Sequence, residues 1–286
     1  MRELPVVVVP VGADDAALDT CLGALESATP AGTRVWLADD AQAGPRAQVV
    51  IDHWLARTRM TASHTRRPRA LGESAHLDDV LRACGVLDVA VLAGDAQPLP
   101  GWLERLTDCL ALDGSIASAT PWSNAGETAA WPRVGEVGVM PDDRERLARA
   151  AAQMPGTSPE LPAAVSHCVL LRGGARARAG GLDAATFGSW SVALVDLSLR
   201  MAGLGWRNVL CDTAFVARPD EAQPADHDLP RLSVRWPAWN ARLAPMLMRD
   251  PLRDLRDQLG DVLATIGPLP PQGDLFAERS LTTPSS

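Results

Sequence analysis

Residues Val6 to Val11 read VVVVPV, a continuous and mostly β-branched apolar run. A strand with one face in water alternates apolar and polar residues. A run that is apolar throughout suits a strand covered on both faces, as in a parallel sheet. The chain that follows keeps to that pattern. Asp14 to Leu25 sets Leu18, Leu22 and Leu25 on one helical side behind an acidic start signal. Val35 to Ala38 reads as a second strand, Gln48 to Thr58 and Leu77 to Cys84 as helices, and Leu87 to Ala93 as a third strand. Pro100 to Leu112 is helical and Ile116 to Thr120 is a fourth strand. Right-handed crossovers turn this alternation into a doubly wound α/β sheet. Ligands of such sheets bind beyond the carboxyl ends of the strands, where Asp39, Asp40 and Asp95 all fall.

The rest of the chain is less regular. Arg133 to Pro162 is rich in proline, glycine and charge around one short helix at Asp142 to Ala152. Ala164 to Arg172 reads as a strand, Val192 to Gly203 as a helix, Val209 to Val216 as a strand and Pro219 to Pro230 as a loop. Trp236 to Thr265 is an amphipathic helical tail that Pro245 and Pro251 must break or kink, so at least two helices are expected. They are expected to pack on the main domain, on a second copy or on a partner enzyme. The division expected is a domain over 1–230, a helical extension over 231–267 and a disordered tail over 268–286.

Composition narrows the function. Hydrophobic residues make up 47% of the chain, enough for a sizeable core. A net charge of −8 argues against a nucleic-acid partner and against tight binding to anionic lipid. The five cysteines are widely spaced with no CxxC pair, which reads as buried free thiols in a reducing compartment. The opening apolar run is too short for a signal peptide, and no stretch approaches the roughly 20 apolar residues of a membrane span. A cytoplasmic protein is expected, with room for peripheral association at the inner face of the membrane. No GxGxxG follows the first strand, only Val11-Gly12-Ala13-Asp14, which argues against a dinucleotide oxidoreductase.

Six segments, in order, carry a further signal: VVVVPVGADD, WLADDAQ, DVAVLAGDAQPLPGWLERL, IASATPWSNAG, LPAAVSHCVLLR and GGLDAATFGSWSVALVDLSLRMAGLGWRNVL. They resemble, in turn, the opening strand and turn, the VDDAS segment, the DxD region, a TPLSNN segment, the acceptor-side strand and the GGFDE…GEEND region of family 2 glycosyltransferases. The likeness runs over roughly residues 5 to 218. It implies a GT-A-like, Rossmann-related, mostly parallel sheet flanked by helices, with the helical stretch as a C-terminal extension. It also implies a bacterial enzyme of polysaccharide biosynthesis. Such an enzyme moves a hexosyl or deoxyhexosyl unit from a nucleotide-diphosphate sugar, of UDP or dTDP type, to a glycan or lipid-linked acceptor. The middle lobe would then lie on the acceptor side.

The same resemblance assigns roles. Pro10, Asp39, Asp40, Asp78, Asp95 and Arg218 are the expected donor-binding residues, with the base near Asp39 and Asp40. Asp95 is the remaining acid of the metal-binding motif, whose first acid is here Ala93 and whose later acidic position is Gln97. A divalent cation, Mg²⁺ or Mn²⁺, would neutralise the leaving diphosphate. The family's further metal ligand, a histidine, is here Arg218, which can pair with a diphosphate directly. His227 is a weaker substitute ligand. The two acids of the catalytic-base segment fall on Ala193 and Leu194, leaving Asp196 as candidate base and Asp183 as a weaker one. Asn124, His167 and Trp190 lie in acceptor-side segments, while Arg172 reads as structural. A non-catalytic homologue that binds a nucleotide sugar, a glycan or a partner is the alternative.

Overall fold

The computed structural model describes residues 4–267, so the tail expected over 268–286 lies outside the described residues. Eight strands form one mixed sheet in the order β3-β2-β1-β4-β7-β6-β8-β5. Its first half is parallel: β1 (Val6–Val11) lies between β2 (Arg34–Asp39) and β4 (Val89–Leu92), and β3 (Thr61–Arg66) is the edge beyond β2. In the second half β7 (Cys168–Leu171) runs antiparallel to both β4 and β6 (Ile116–Trp122). Beyond β6 lies β8 (Arg207–Ala217), parallel to it, and the two-residue β5 (Gln97–Pro98) pairs antiparallel with β8.

The expected helices are present with shifted ends: α1 (Asp15–Ala28), α2 (Pro45–Leu55), α3 (Glu73–Ala83), α4 (Trp102–Leu112) and α5 (Arg144–Ala151). Asp14 caps α1 by accepting the Ala16 and Ala17 N–H groups, each at 3.0 Å. Pro45 opens α2, where a missing N–H costs nothing. Sequence reading missed β3, β5 and the short α6 (Gly173–Ala179). β3 is a largely exposed edge reading TASHTR, with no apolar alternation to betray it. The strand expected over Ala164 to Arg172 is regular only over its last part, and the loop expected to run to Pro230 gives way earlier to α8 (Asp228–Arg235). All five cysteines are free and buried. Among the described residues no helix is long and apolar enough to cross a membrane.

The helical stretch divides into α9 (Trp239–Arg249) and α10 (Arg253–Thr265). The break falls at Asp250, with φ of 43°, and Pro251, whereas Pro245 is carried inside α9. Both helices pack on the sheet domain: Met246, Leu252 and Leu259 join Trp122, Leu147 and Phe215 in one apolar cluster. Arg256 fastens them. Its guanidinium, buried over the Trp122 ring at 5.2 Å, donates to the Ala130 and Thr128 carbonyls at 2.6 and 2.8 Å and pairs with Asp250. Arg256→Ala would leave the partly buried Asp250 carboxylate and two carbonyls without their partner, a loss of about 3 kcal/mol. A fall in melting temperature of roughly 10 °C is expected by differential scanning fluorimetry. An unchanged melting curve would mean the helices are not fastened there.

Candidate functional site

The carboxyl ends of β1, β2 and β4 open into one cavity of about 500 Å³. Its floor needs two strand ends to approach closely. A Cβ on Gly94 would stand 2.5 Å from the Pro10 carbonyl oxygen, so only glycine fits there without backbone movement. Pro10, Asp40, Asp95, Trp190 and Arg218, five of the residues expected from sequence, line this cavity. Glu73 and His76, on the first turn of α3, line it too and were not anticipated.

At one end Arg218 lies against Asp95, its Nε 2.8 and 3.0 Å from the two carboxylate oxygens. Asn124 holds that arginine by its main chain. The amide Nδ2 donates to the Arg218 carbonyl at 2.7 Å, and Oδ1 accepts the Arg218 N–H at 2.9 Å. Asn124 is therefore buried behind the cavity as a clamp on Arg218, not on its lining. His167 is likewise interior. Burial, with Arg218 nearby, pushes its pKa down to about 3, and its Nε2 lies 3.0 Å from the Pro121 carbonyl oxygen. It is a neutral core histidine.

The base expected from the resemblance would stand on α7 (Trp190–Gly203). Ala193 and Leu194 lie within its first turns, fully packed. Its N-terminus is served by acids from other elements. Asp228 accepts the Gly188 and Ser189 N–H groups at 3.1 and 2.8 Å and the Ser189 hydroxyl. Burial works to raise the Asp228 pKa, but the bonds from Ser189 and Gly188 outweigh it and hold it below the usual range. Glu73, near the Trp190 N–H, is the opposite case. Burial raises its pKa, the Asp228 charge adds to that, and the Trp190 N–H and Arg218 only partly offset it. The residue lines the cavity yet remains solvent-exposed, so burial acts on it only in part.

Several expected roles do not fit their positions. Asp196 is fully buried on α7, paired with Arg200 at 2.9 Å and receiving the Trp236 indole N–H at 2.8 Å. A carboxylate so engaged, off the cavity, is no proton acceptor. Asp78 faces the opposite side of α3, accepting the Leu182 N–H at 2.8 Å and pairing with Arg82 at 2.7 Å. Asp39 is fully buried and closes the turn after β2 through the Gln42 and Ala43 N–H groups at 2.7 and 3.1 Å. Asp40, which does line the cavity, accepts the Leu71 and Gly72 N–H groups, both at 2.8 Å, and so anchors the loop leading into α3. Asp183 pairs with Arg235, His227 is exposed beside Asp228, and Arg172 bonds the Ile116 carbonyl at 2.6 Å, a structural role.

His76 gives the cavity its free hydrogen-bonding capacity. Both ring nitrogens are buried with no protein partner, and burial lowers its pKa, keeping it neutral. A neutral imidazole offers one donor and one acceptor, the pattern that a heterocyclic base or a ribose hydroxyl answers. A metal ion finds less. The acid that would hold one, Asp95, already faces a guanidinium, and among the described residues no group of three His, Cys, Asp or Glu side chains is placed to bind one. These residues do not fit a resident divalent cation.

A mixed sheet with this strand order and a cavity at its carboxyl ends defines the GT-A class of glycosyltransferase folds. Solved structures of that class are similar along nearly the whole chain. GalNAc-T7, solved with UDP, GalNAc and Mn²⁺, matches at 13% identity over 92% of this chain and 55% of its own, with a TM-score of 0.62. The mannosyltransferase PcManGT from Pyrobaculum calidifontis, solved with GDP-Man and Mn²⁺, matches at 13% identity over 94% and 77%, with a TM-score of 0.60. TarS of S. aureus (residues 1–349), solved with UDP-GlcNAc, matches at 12% identity over 90% and 71%, with a TM-score of 0.52. The chain thus spans little more than half of GalNAc-T7. Likeness at such identity establishes the fold alone. No protein-family model matches the chain, and no curated protein matches it.

Proposed function

We propose that this chain is an inverting glycosyltransferase of bacterial polysaccharide synthesis that uses an arginine where related folds use a metal ion. The observation that carries this reading is the Arg218–Asp95 pair, set in a cavity at the strand ends of a GT-A sheet. The donor is a UDP- or dTDP-sugar. Its base lies toward Pro10, Asp40 and His76, its diphosphate against Arg218, and its sugar between Gly94 and Trp190. The acceptor is a glycan or a lipid-linked glycan, and the chain works in the cytoplasm, peripherally at the inner face of the membrane.

The step follows from those positions. An acceptor hydroxyl attacks the anomeric carbon as the bond to the β-phosphate oxygen breaks, and that bond's electron pair leaves with the nucleotide. Arg218 meets the developing charge, and its Nη groups have no hydrogen-bond partner among the described residues. The hydroxyl proton passes to Glu73, whose pKa is raised above the usual carboxylate value, the direction that strengthens a proton acceptor. Trp190 supplies a flat apolar surface for a sugar ring. A purely sugar-binding homologue is favoured by one observation, the packed Ala193 and Leu194. Glu73 answers it by bringing a carboxylate from another helix.

Calorimetry with UDP-, dTDP- and GDP-sugars, with and without Mn²⁺, tests the reading. Saturable binding of a UDP- or dTDP-sugar, altered no more than about threefold by the metal, is expected, since the arginine already supplies the positive charge. Binding of none of them would sink it.

A further inference from the structure

The net charge of −8 conceals a local reversal: residues 229–249 contain four arginines and no aspartate or glutamate. The same stretch, α8 and α9, exposes large apolar side chains. Val234 is 81% and Met248 83% exposed, and Leu229 and Leu247 are about half exposed. On α9, exposed Ala241, Pro245 and Met248 recur at helical spacing and share a face, and exposed Arg242 and Arg249, seven residues apart, edge it. Its other side is anchored by buried Met246. Arg231 and Arg235 of α8 are tied to the Thr186 carbonyl and Asp183, whereas Arg242 and Arg249 have no ion pair among the described residues.

We infer that the α8–α9 surface docks on an anionic lipid surface, with the arginines at the headgroups and Val234 and Met248 in the acyl boundary. Exposed apolar tips edged by arginine, with no acid among them, are the arrangement that lies stably in a bilayer interface. Each arginine near such a surface adds attraction, and Arg242 and Arg249, unlike Arg235, have no acid paired with them among the described residues to offset it. Two copies meeting through this face would oppose arginine with arginine, which argues for lipid over self-association. A nucleic acid would make no use of the apolar tips. Docking of this kind does not depend on the sugar-transfer reading.

Sedimentation of the full chain with phosphatidylcholine vesicles, with and without phosphatidylglycerol, provides the test. Partition into the anionic vesicles alone is expected, weakening as salt rises. The pair Arg242→Gln and Arg249→Gln should lower the partition coefficient about 25-fold, at roughly fivefold per arginine. Val234→Ser with Met248→Ser should lower it as well, with melting temperature unchanged in both variants. Equal partition into the two vesicle types, partition into neither, or indifference to the arginine pair would overturn the inference. So would a loss of self-association in the arginine variant without any lipid binding.

Discussion

Replacing Glu73 by glutamine is expected to lower the rate of sugar transfer, or of donor hydrolysis by water, by roughly 10²–10⁴-fold while leaving nucleotide affinity within about threefold. Glutamine keeps the side-chain size, and the Ser74 N–H still donates to the Gly188 carbonyl at 3.2 Å, so the approach of α3 to the start of α7 survives. What is lost is the ability to take a proton. The effect on stability has the opposite sign. Burial and Asp228 raise the Glu73 pKa in the folded chain, so the ionised carboxylate is disfavoured there. A group of this kind contributes stability below its unfolded pKa and loses that contribution as pH rises through the folded value. At neutral pH the glutamine variant should therefore melt no lower than the wild type. The wild-type rate should fall as pH drops through the raised pKa, and the residual rate of the variant should lack that limb. A variant with full turnover, or with turnover and nucleotide binding lost together, would remove Glu73 from the reaction.

Much of the first half-sheet was legible because strands covered on both faces leave an unbroken apolar record. Val6 to Val9 and Val89 to Leu92 are such runs, and both lie in the parallel core. β3 and β5 left no such record, one being a polar edge and the other only two residues long. Strand-end position pointed to Asp40 and Asp95, and the family resemblance to Pro10, all three of which line the cavity. Strand-end position misled at Asp39, because adjacent residues at a strand end point opposite ways and only one meets the cavity. Acids on helices were the harder problem. Asp78 and Asp196 read as available carboxylates, but the face a helix buries is set by its neighbours, and both acids turn toward loops and arginines. Glu73 could have been noticed as an acid in the first turn of a helix just after Gly72. Nothing in the sequence says that α3 opens beside α7, about a hundred residues further on, and that juxtaposition is what makes it a candidate base.

Arg218→Ala is the second large effect expected, and it falls on affinity. In the wild type the guanidinium is held twice, through its main chain by Asn124 and through Nε by Asp95. It is therefore pre-set before a ligand arrives, and little ordering cost is left for binding. Its charge is also felt by Glu73, Glu127 and His167, so it is the positive centre of an otherwise acidic region. Glu127 shows how acidic. Burial and the neighbouring Glu221 lift its pKa to about 7 even with Arg218 pulling the other way. With alanine at 218, Asp95 would face an incoming diphosphate in the cavity with no cation beside it. A loss of about 2–5 kcal/mol in nucleotide-sugar affinity follows, at least roughly 30-fold, because a buried charged partner is left unpaired. Chelation of divalent metal from the wild type should move the same affinity by less than about threefold, since the positive charge is supplied by the guanidinium. Asn124→Ala should fall between the two, loosening the arginine without removing it. The measurement is a calorimetric titration of all three proteins with one nucleotide sugar, each with Mn²⁺ and with chelator. If chelation costs more than the arginine does, a metal ion and not Arg218 balances the diphosphate, and the Asp95 pair would have to open to admit it.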